Sequence, residues 1–200
     1  MKLGLIADVH EHAARLKKCL LALRAEGVDQ IVMLGDVVEM GKSIRPTCEL
    51  LMAEKVVGVW GNHDYGLCVE PSPEARQSHG DVVIDYMTSL KSRLVIDHCY
   101  FSHIEPWLDP ESLEDLWYFD GLPQTTHRRH QIFTAQPQKI LFAGHYHQWL
   151  LVSPEKTEAW DGSHPVCLKD GRYFVVLNSL TNGSFATYDT ASGWLTPFTV

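Results

Sequence analysis

The stretch Leu3-Gly4-Leu5-Ile6-Ala7-Asp8-Val9-His10 is an apolar run that ends abruptly in a carboxylate and an imidazole. Its first five residues read as a buried strand. The next segment, Ala13–Glu26, carries Leu16, Leu20 and Leu23 at helical spacing, and Gly27 stops it. Ile31–Leu34 repeats the short apolar run. A helix over Pro46–Lys55 follows, with Leu50 and Leu51 inward and Pro46 tolerated in its first turn. Val56–Val59 is the third strand. Strand–helix–strand order implies right-handed crossovers and a parallel sheet. In such sheets functional groups collect outside the carboxyl ends of the strands. Asp8, Asp36 and Asn62 each stand just after a predicted strand, so three candidate ligands share one edge.

Working outward from there, Pro73–Leu90 reads as a helix with Val82, Val83, Tyr86 and Leu90 on one side, and Gly80 is its weak point. Leu94–Ile96 and Cys99–Ser102 form a strand pair turning at Asp97-His98. Glu105–Pro123 is irregular, aromatic and acidic, and reads as a loop beside the site. Thr125–Ala135 is a short helix, and Ile140–Ala143 is a strand that delivers Gly144-His145-Tyr146-His147. Beyond it the pattern is strand-like at Trp149–Val152, Tyr173–Asn178, Phe185–Tyr188 and Trp194–Phe198. With no repeat or low-complexity linker, this change of pattern predicts a second sheet within a single domain spanning residues 1–200.

Hydrophobic content of 45% and charged content of 21% describe an ordinary globular chain. A formal charge of −8 argues against a broad basic surface for a nucleic-acid backbone, although bound divalent cations would reverse the field locally. No apolar run is long enough to suggest a membrane span. The N-terminal apolar run is too short for a signal peptide and is interrupted by Asp8 and His10. Cys19, Cys48, Cys68, Cys99 and Cys167 are widely spaced and lack a C-x-x-C pair, which fits reduced thiols in a cytoplasmic protein.

Five segments place metal-binding side chains just after an apolar run: Asp8-Val9-His10, Gly35-Asp36, Gly61-Asn62-His63-Asp64, Ser102-His103 and Gly144-His145-Tyr146-His147. Singly, each also reads as a turn or a helix cap. Carboxylate, imidazole and amide oxygen together suit borderline divalent ions, whereas cysteine ligands would have meant structural zinc. Gly35, Gly61 and Gly144 read as positions of tight turn or close backbone approach.

Taken in order, D-x-H, G-D, G-N-H-D, a lone His after a strand and G-H-x-H resemble the calcineurin-like metallophosphoesterase superfamily, over Asp8 to His147. The resemblance implies an α/β fold, a two-sheet β-sandwich flanked by helices. It implies that Asp8, His10 and His147 hold one divalent ion, that Asn62, His103 and His145 hold a second, and that Asp36 bridges both. Manganese is the expected metal, with iron, zinc, nickel or cobalt as alternatives. In such a pair a shared hydroxide attacks phosphorus in line with the leaving alkoxide. His63 would donate a proton to the leaving oxygen, and Asp64 would orient the His63 ring and raise its basicity.

Departures narrow the branch. Glu39 stands where many relatives have the last Asp of G-D-x-x-D, Glu11-His12 replaces Gly-Asn, and Ile104 follows His103 where Gly is common. His12 would either face substrate or begin the first helix, and the helix start is the reading taken. Met40-Gly41 and G-N-H-D differ from the protein Ser/Thr phosphatases and favour the small bacterial phosphodiesterase-like branch. The run His127-Arg128-Arg129-His130 would either bind phosphate or face solvent. Trp107, Trp117, Tyr118 and Phe119 would either stack on a base or an aryl leaving group or anchor the loop as core, and the core reading is the one taken. The leading expectation is hydrolysis of small phosphodiesters. Phosphomonoesters or dinucleoside polyphosphates are the alternatives within the same chemistry, and a non-catalytic metal-binding scaffold is the alternative outside it. A DNA nuclease is disfavoured by charge and size.

Overall fold

In the computed structural model, which describes residues 1–39 and 44–200, strands and helices alternate through the first third of the chain. These are β1 (Lys2–Ile6), α1 (Ala13–Ala25), β2 (Gln30–Leu34), α2 (Ile44–Ala53) and β3 (Val57–Val59). Next come α3 (Tyr65–Cys68), α4 (Pro73–His79), α5 (Asp81–Ser89), β4 (Leu94–Ile96), β5 (Cys99–Phe101), α6 (Leu113–Leu116), α7 (Thr126–Ala135) and β6 (Ile140–Ala143). The remainder comprises β7 (Leu150–Val152), β8 (Val166–Cys167), β9 (Tyr173–Val176), a 3-10 turn (Leu180–Asn182), β10 (Ser184–Asp189) and β11 (Trp194–Thr199).

Two sheets result, a six-stranded one ordered β3-β2-β1-β10-β11-β8 and a five-stranded one ordered β4-β5-β6-β9-β7. The period of two along each strand sorts the side chains between layers. Leu3, Leu5 and Ala7 of the β1 region and Val32 and Leu34 of β2 face Phe101, Phe142 and Val175 of the other sheet. Phe101 and Phe142 stack there at 5.3 Å between ring centres. The alternate residues Ile6, Ile31 and Met33 point the other way, under Leu16, Leu20 and Leu23 of α1, Leu51 of α2 and Val83 and Met87 of α5. On the far side Leu141, Ala143, Phe174 and Val176 lie beneath Ile132 and Phe133 of α7. Each large side chain so buried contributes about 1.5–3 kcal/mol. The expected two-sheet sandwich flanked by helices is therefore the observed fold.

β1, β2 and β3 run parallel, as do β5, β6 and β9. Their carboxyl ends meet at one rim of the sandwich, where Nδ1 of His103, just past β5, lies 2.7 Å from the carbonyl of Leu34 at the end of β2. The predicted helix over Pro73–Leu90 is two helices. Gly80 has φ +81° and ψ 164°, which no helix accepts, so α4 stops there and α5 starts afresh. The turn at Asp97-His98 places both residues at positive φ (44° and 69°), the conformation that matches the twist of a tight hairpin. His12 is exposed at the N-cap of α1, as read. The Met40-Gly41 pair lies outside the described residues. Among the described residues no helix is long and apolar enough to cross a membrane, and all five cysteines are free.

Candidate metal centre

Each strand ending at that rim hands over one ligand-bearing turn. Asp8 N donates to Gly35 O at 3.0 Å and His10 N to Asp36 O at 2.9 Å, which zips the first two turns together. Gly144 N donates to His103 O at 3.1 Å and joins the last two. The price of these turns is local: Asp8, His10, Asp36, His145 and His147 all hold φ between 43° and 71°. Left-handed backbone at non-glycine residues is costly and clusters at functional sites. The motif glycines leave no room for a side chain. A Cβ on Gly61 would stand 2.2 Å from Asp36 Oδ1, and one on Gly35 would stand 2.5 Å from His103 Nδ1.

Asp8, His10, Asp36 and His147 offer ligand atoms all within 4.8 Å of one another. His10 Nε2 lies 3.2 Å from His147 Nε2 and 3.6 Å from Asp36 Oδ2, and His147 Nε2 lies 3.4 Å from Asp8 Oδ1. On the other side of Asp36, His103 Nε2 is 3.4 Å from Asp36 Oδ2 and 3.0 Å from Asn62 Oδ1. Asn62 Oδ1 is also 3.1 Å from His145 Nδ1. The structure thus brings all seven predicted ligand residues together, with Asp36 between two subsets. The outer ring nitrogens are held in turn. His103 Nδ1 faces Leu34 O, and His145 Nε2 faces Tyr118 O at 3.3 Å, which leaves the opposite nitrogens turned inward. Asp8 Oδ2 is buried with no hydrogen-bond partner. A buried carboxylate oxygen without a donor is costly, and a cation would satisfy it. The donor set and the orphaned oxygen both fit divalent ions.

Charge follows the same geometry. Burial alone would push Asp36 up, but His103 and His63 beside it hold its carboxyl well below the usual carboxylate range. Burial disfavours the His103 cation, yet Asp36, Asp8 and the Leu34 carbonyl together outweigh it and raise His103 to about 9. His145 is pushed down to about 4 by burial and then by the His103 charge. Burial lowers His10, whereas the bond to Asp8 raises His147.

Two expected roles meet different surroundings. The His63 ring reaches the centre, edge-on to His10 at 4.9 Å, and its backbone N–H donates to Asp36 Oδ1 at 3.0 Å. Asp64 makes no hydrogen bond to that ring. Its Oδ1 accepts from the N–H groups of Val37 and Val38 (2.9 and 3.0 Å), and its Oδ2 accepts from Gly61 N (2.9 Å). Asp64 is fully buried, and burial and then the Asp36 charge push it up to about 7. It is the clasp between the second and third motif turns. Glu39, unassigned by sequence reasoning, brings Oε2 to 2.7 Å from His10 Nδ1, without the alignment of a hydrogen bond. His10, Glu39 and His63 also gather ligand atoms within 4.8 Å. Its spacing three residues after Asp36 was the available signal.

Arg128 is not a phosphate ligand. It is buried, ion-paired with Glu105 and bonded to the hydroxyl of Tyr146 at 3.0 Å. Among the described residues no lysine or arginine bonds to a candidate ligand. A cavity of about 750 Å3 that includes Cys99 and Ile140 lies at the amino ends of β5 and β6, opposite the centre.

The profile of the calcineurin-like phosphoesterase superfamily domain matches residues 1–177. An uncharacterised protein of Methanocaldococcus jannaschii is 24% identical over 143 residues, 60% of this chain, and the match spans 59% of that relative's length. Among solved structures, a metallophosphoesterase from Sphaerobacter thermophilus superposes with a TM-score of 0.79 at 22% identity, covering 100% of this chain and 88% of that one. A putative diadenosine tetraphosphatase gives 0.62 at 20% identity, covering 99% and 93%. An archaeal phosphodiesterase gives 0.59 at 13% identity, covering 100% of both. At these identities the structural likenesses speak to the fold.

Proposed function

Because the chain belongs to the calcineurin-like phosphoesterase superfamily, we propose that it is a metal-dependent phosphoesterase acting on small phosphodiesters, working as one domain over residues 1–200. The observation that carries this reading is the convergence of seven ligand residues from five strand ends around Asp36, beside a buried Asp8 oxygen that no protein donor satisfies. In the proposal Asp8, His10 and His147 hold one ion, Asn62, His103 and His145 hold another, and Asp36 serves both. When bound, such a pair lowers the pKa of an attacking water and neutralises phosphoryl oxygens.

The chain's own groups do the rest. His103 and His145 are held by the carbonyls of Leu34 and Tyr118, so little reorganisation is needed on binding metal or substrate. The Asp64 clasp fixes the Gly61–Asp64 turn and so sets where the His63 ring stands. From there His63 delivers a proton to the leaving oxygen. The diester reading is supported by the departures from the protein Ser/Thr phosphatase pattern, Met40-Gly41 and Gly61-Asn62-His63-Asp64. A dinucleoside polyphosphate hydrolase is the second reading, motivated by the diadenosine tetraphosphatase fold likeness. Free cysteines support a reducing compartment, the cytoplasm, and the mixed donor set supports a borderline divalent ion, which we take to be manganese, with iron, zinc, nickel or cobalt as alternatives.

The test is hydrolysis of bis-p-nitrophenyl phosphate beside p-nitrophenyl phosphate, on chelator-stripped protein with manganese added back. Restored cleavage of the diester and not the monoester is expected. Cleavage of neither, with two metals bound, would move the protein to the scaffold reading.

A further inference from the structure

Two aromatic side chains beside the centre are exposed when they have every physical reason to be buried. Trp117 is 55% exposed and Phe119 is 64% exposed, while Tyr118 between them turns inward. They are not stray surface residues. The Trp117 ring stands 5.2 Å from the His63 ring. Phe119 stands 6.3 Å from His145 and 5.9 Å from Tyr146. The two rings therefore flank the candidate centre, one beside the proton donor and one beside a ligand.

The segment that carries them is fastened from several sides. Arg128 donates to the carbonyls of Asp120 and Gly121, and its guanidinium lies over the Tyr118 ring at 5.7 Å. Upstream, Trp60 Nε1 donates to Pro110 O and the Tyr65 hydroxyl to Glu111 O, both at 2.8 Å. Exposed rings on an anchored loop are preorganised, so little ordering entropy opposes stacking against them. The loop also carries exposed Glu114 and Asp120, which disfavour a polyanionic nucleic acid or an anionic membrane as the occupant.

We propose that Trp117 and Phe119 form an aromatic rim that receives a flat ring carried by the substrate phosphoester, making nucleoside or aryl phosphodiesters its substrate class. This rests on the phosphoesterase reading and adds the specificity element to it. Stacking of a base on an aromatic side chain corresponds to about 5- to 150-fold in affinity.

The experiment uses three diesters with one common ring-free leaving group, 2,2,2-trifluoroethanethiolate read with a thiol reagent, and a thymidine 5′, phenyl or methyl retained substituent. On manganese-loaded protein, kcat/KM for the thymidine ester should exceed that for the methyl ester by about tenfold or more. In Trp117→Ala and Phe119→Ala the ratio should fall toward one, and Trp117→Phe should keep most of it. The phenyl ester identifies the source of the ring. Matching the thymidine ester makes the ring itself the recognised group, and falling to the methyl ester makes it the nucleobase. Equal turnover of thymidine and methyl esters by the unmodified protein would overturn the rim and leave the phosphoesterase reading standing. Turnover of none of the three would overturn both. Quenching of tryptophan emission by thymidine 5′-monophosphate, lost in Trp117→Phe, is the expected second signature and does not depend on turnover.

Discussion

Replacing Arg128 by Met should be among the most damaging single changes in this protein, although Arg128 touches no ligand residue. Glu105, its partner, is 0% exposed. Without the guanidinium, Glu105 would keep only the Tyr146 hydroxyl (2.7 Å) and Trp107 Nε1 (3.0 Å) as donors, with its charge buried and uncompensated. Breaking a buried pair from one side costs about 3–5 kcal/mol. In a chain of this size that corresponds to a fall in Tm of about 6–20 °C. Thermal unfolding of chelator-stripped protein measures it, with the exposed His127→Ala as a control expected to stay near the parent. The double variant Glu105→Gln, Arg128→Met removes the stranded charge and should recover a good part of the loss. Near-parental stability of Arg128→Met, or a double variant no better than the single one, would refute the account of the pair as a charge-compensated core.

Other outcomes follow from the centre itself. His63→Ala should lower kcat by about 100- to 10,000-fold with metal content unchanged; loss of one metal by elemental analysis would instead make His63 a ligand with Glu39. Asp36→Ala should lose metal from both subsets, so a retained metal would contradict its central position. Gly61→Ala forces Asp36 to move, because the new Cβ would sit 2.2 Å from its Oδ1, and metal titration should show weakened binding at a stability cost of about 1–3 kcal/mol. Metal affinity should rise with pH. His103 sits at about 9 in the metal-free protein and must shed its proton to bind, so affinity should climb up to about tenfold per pH unit below 9 and flatten above it. Calorimetry at pH 6.5 and 8.5 in two buffers reads that proton release, and a pH-independent affinity would contradict it.

The fold was readable because apolar runs of strand length ended in polar ligands, and because Leu3, Leu5, Val32 and Leu34 alternate with residues of the helix-facing side. The positions of the candidate ligands were readable for the same reason, since each follows a strand directly. What stayed hidden depends on partners distant in the chain. Arg128 sits in a basic run that looks solvent-facing until Glu105 draws it inward. Asp64 neighbours His63 in sequence, but its carboxylate is taken by amides of Gly61, Val37 and Val38. Trp117 and Phe119 look like loop anchors on composition, and only their exposure separates them from Trp107 and Tyr118, which pack.

The left-handed backbone at Asp8, His10, Asp36, His145 and His147 bears on how such a protein persists under mutation. Each position carries a strain of order 1 kcal/mol or more that a glycine would relieve. Drift toward stability would therefore erase the candidate ligands before it touched the core, since their replacement is among the few changes that relax the fold. A lineage in which the sandwich served only as a scaffold would shed these side chains early. In this chain the strained positions and the candidate ligands are the same five residues.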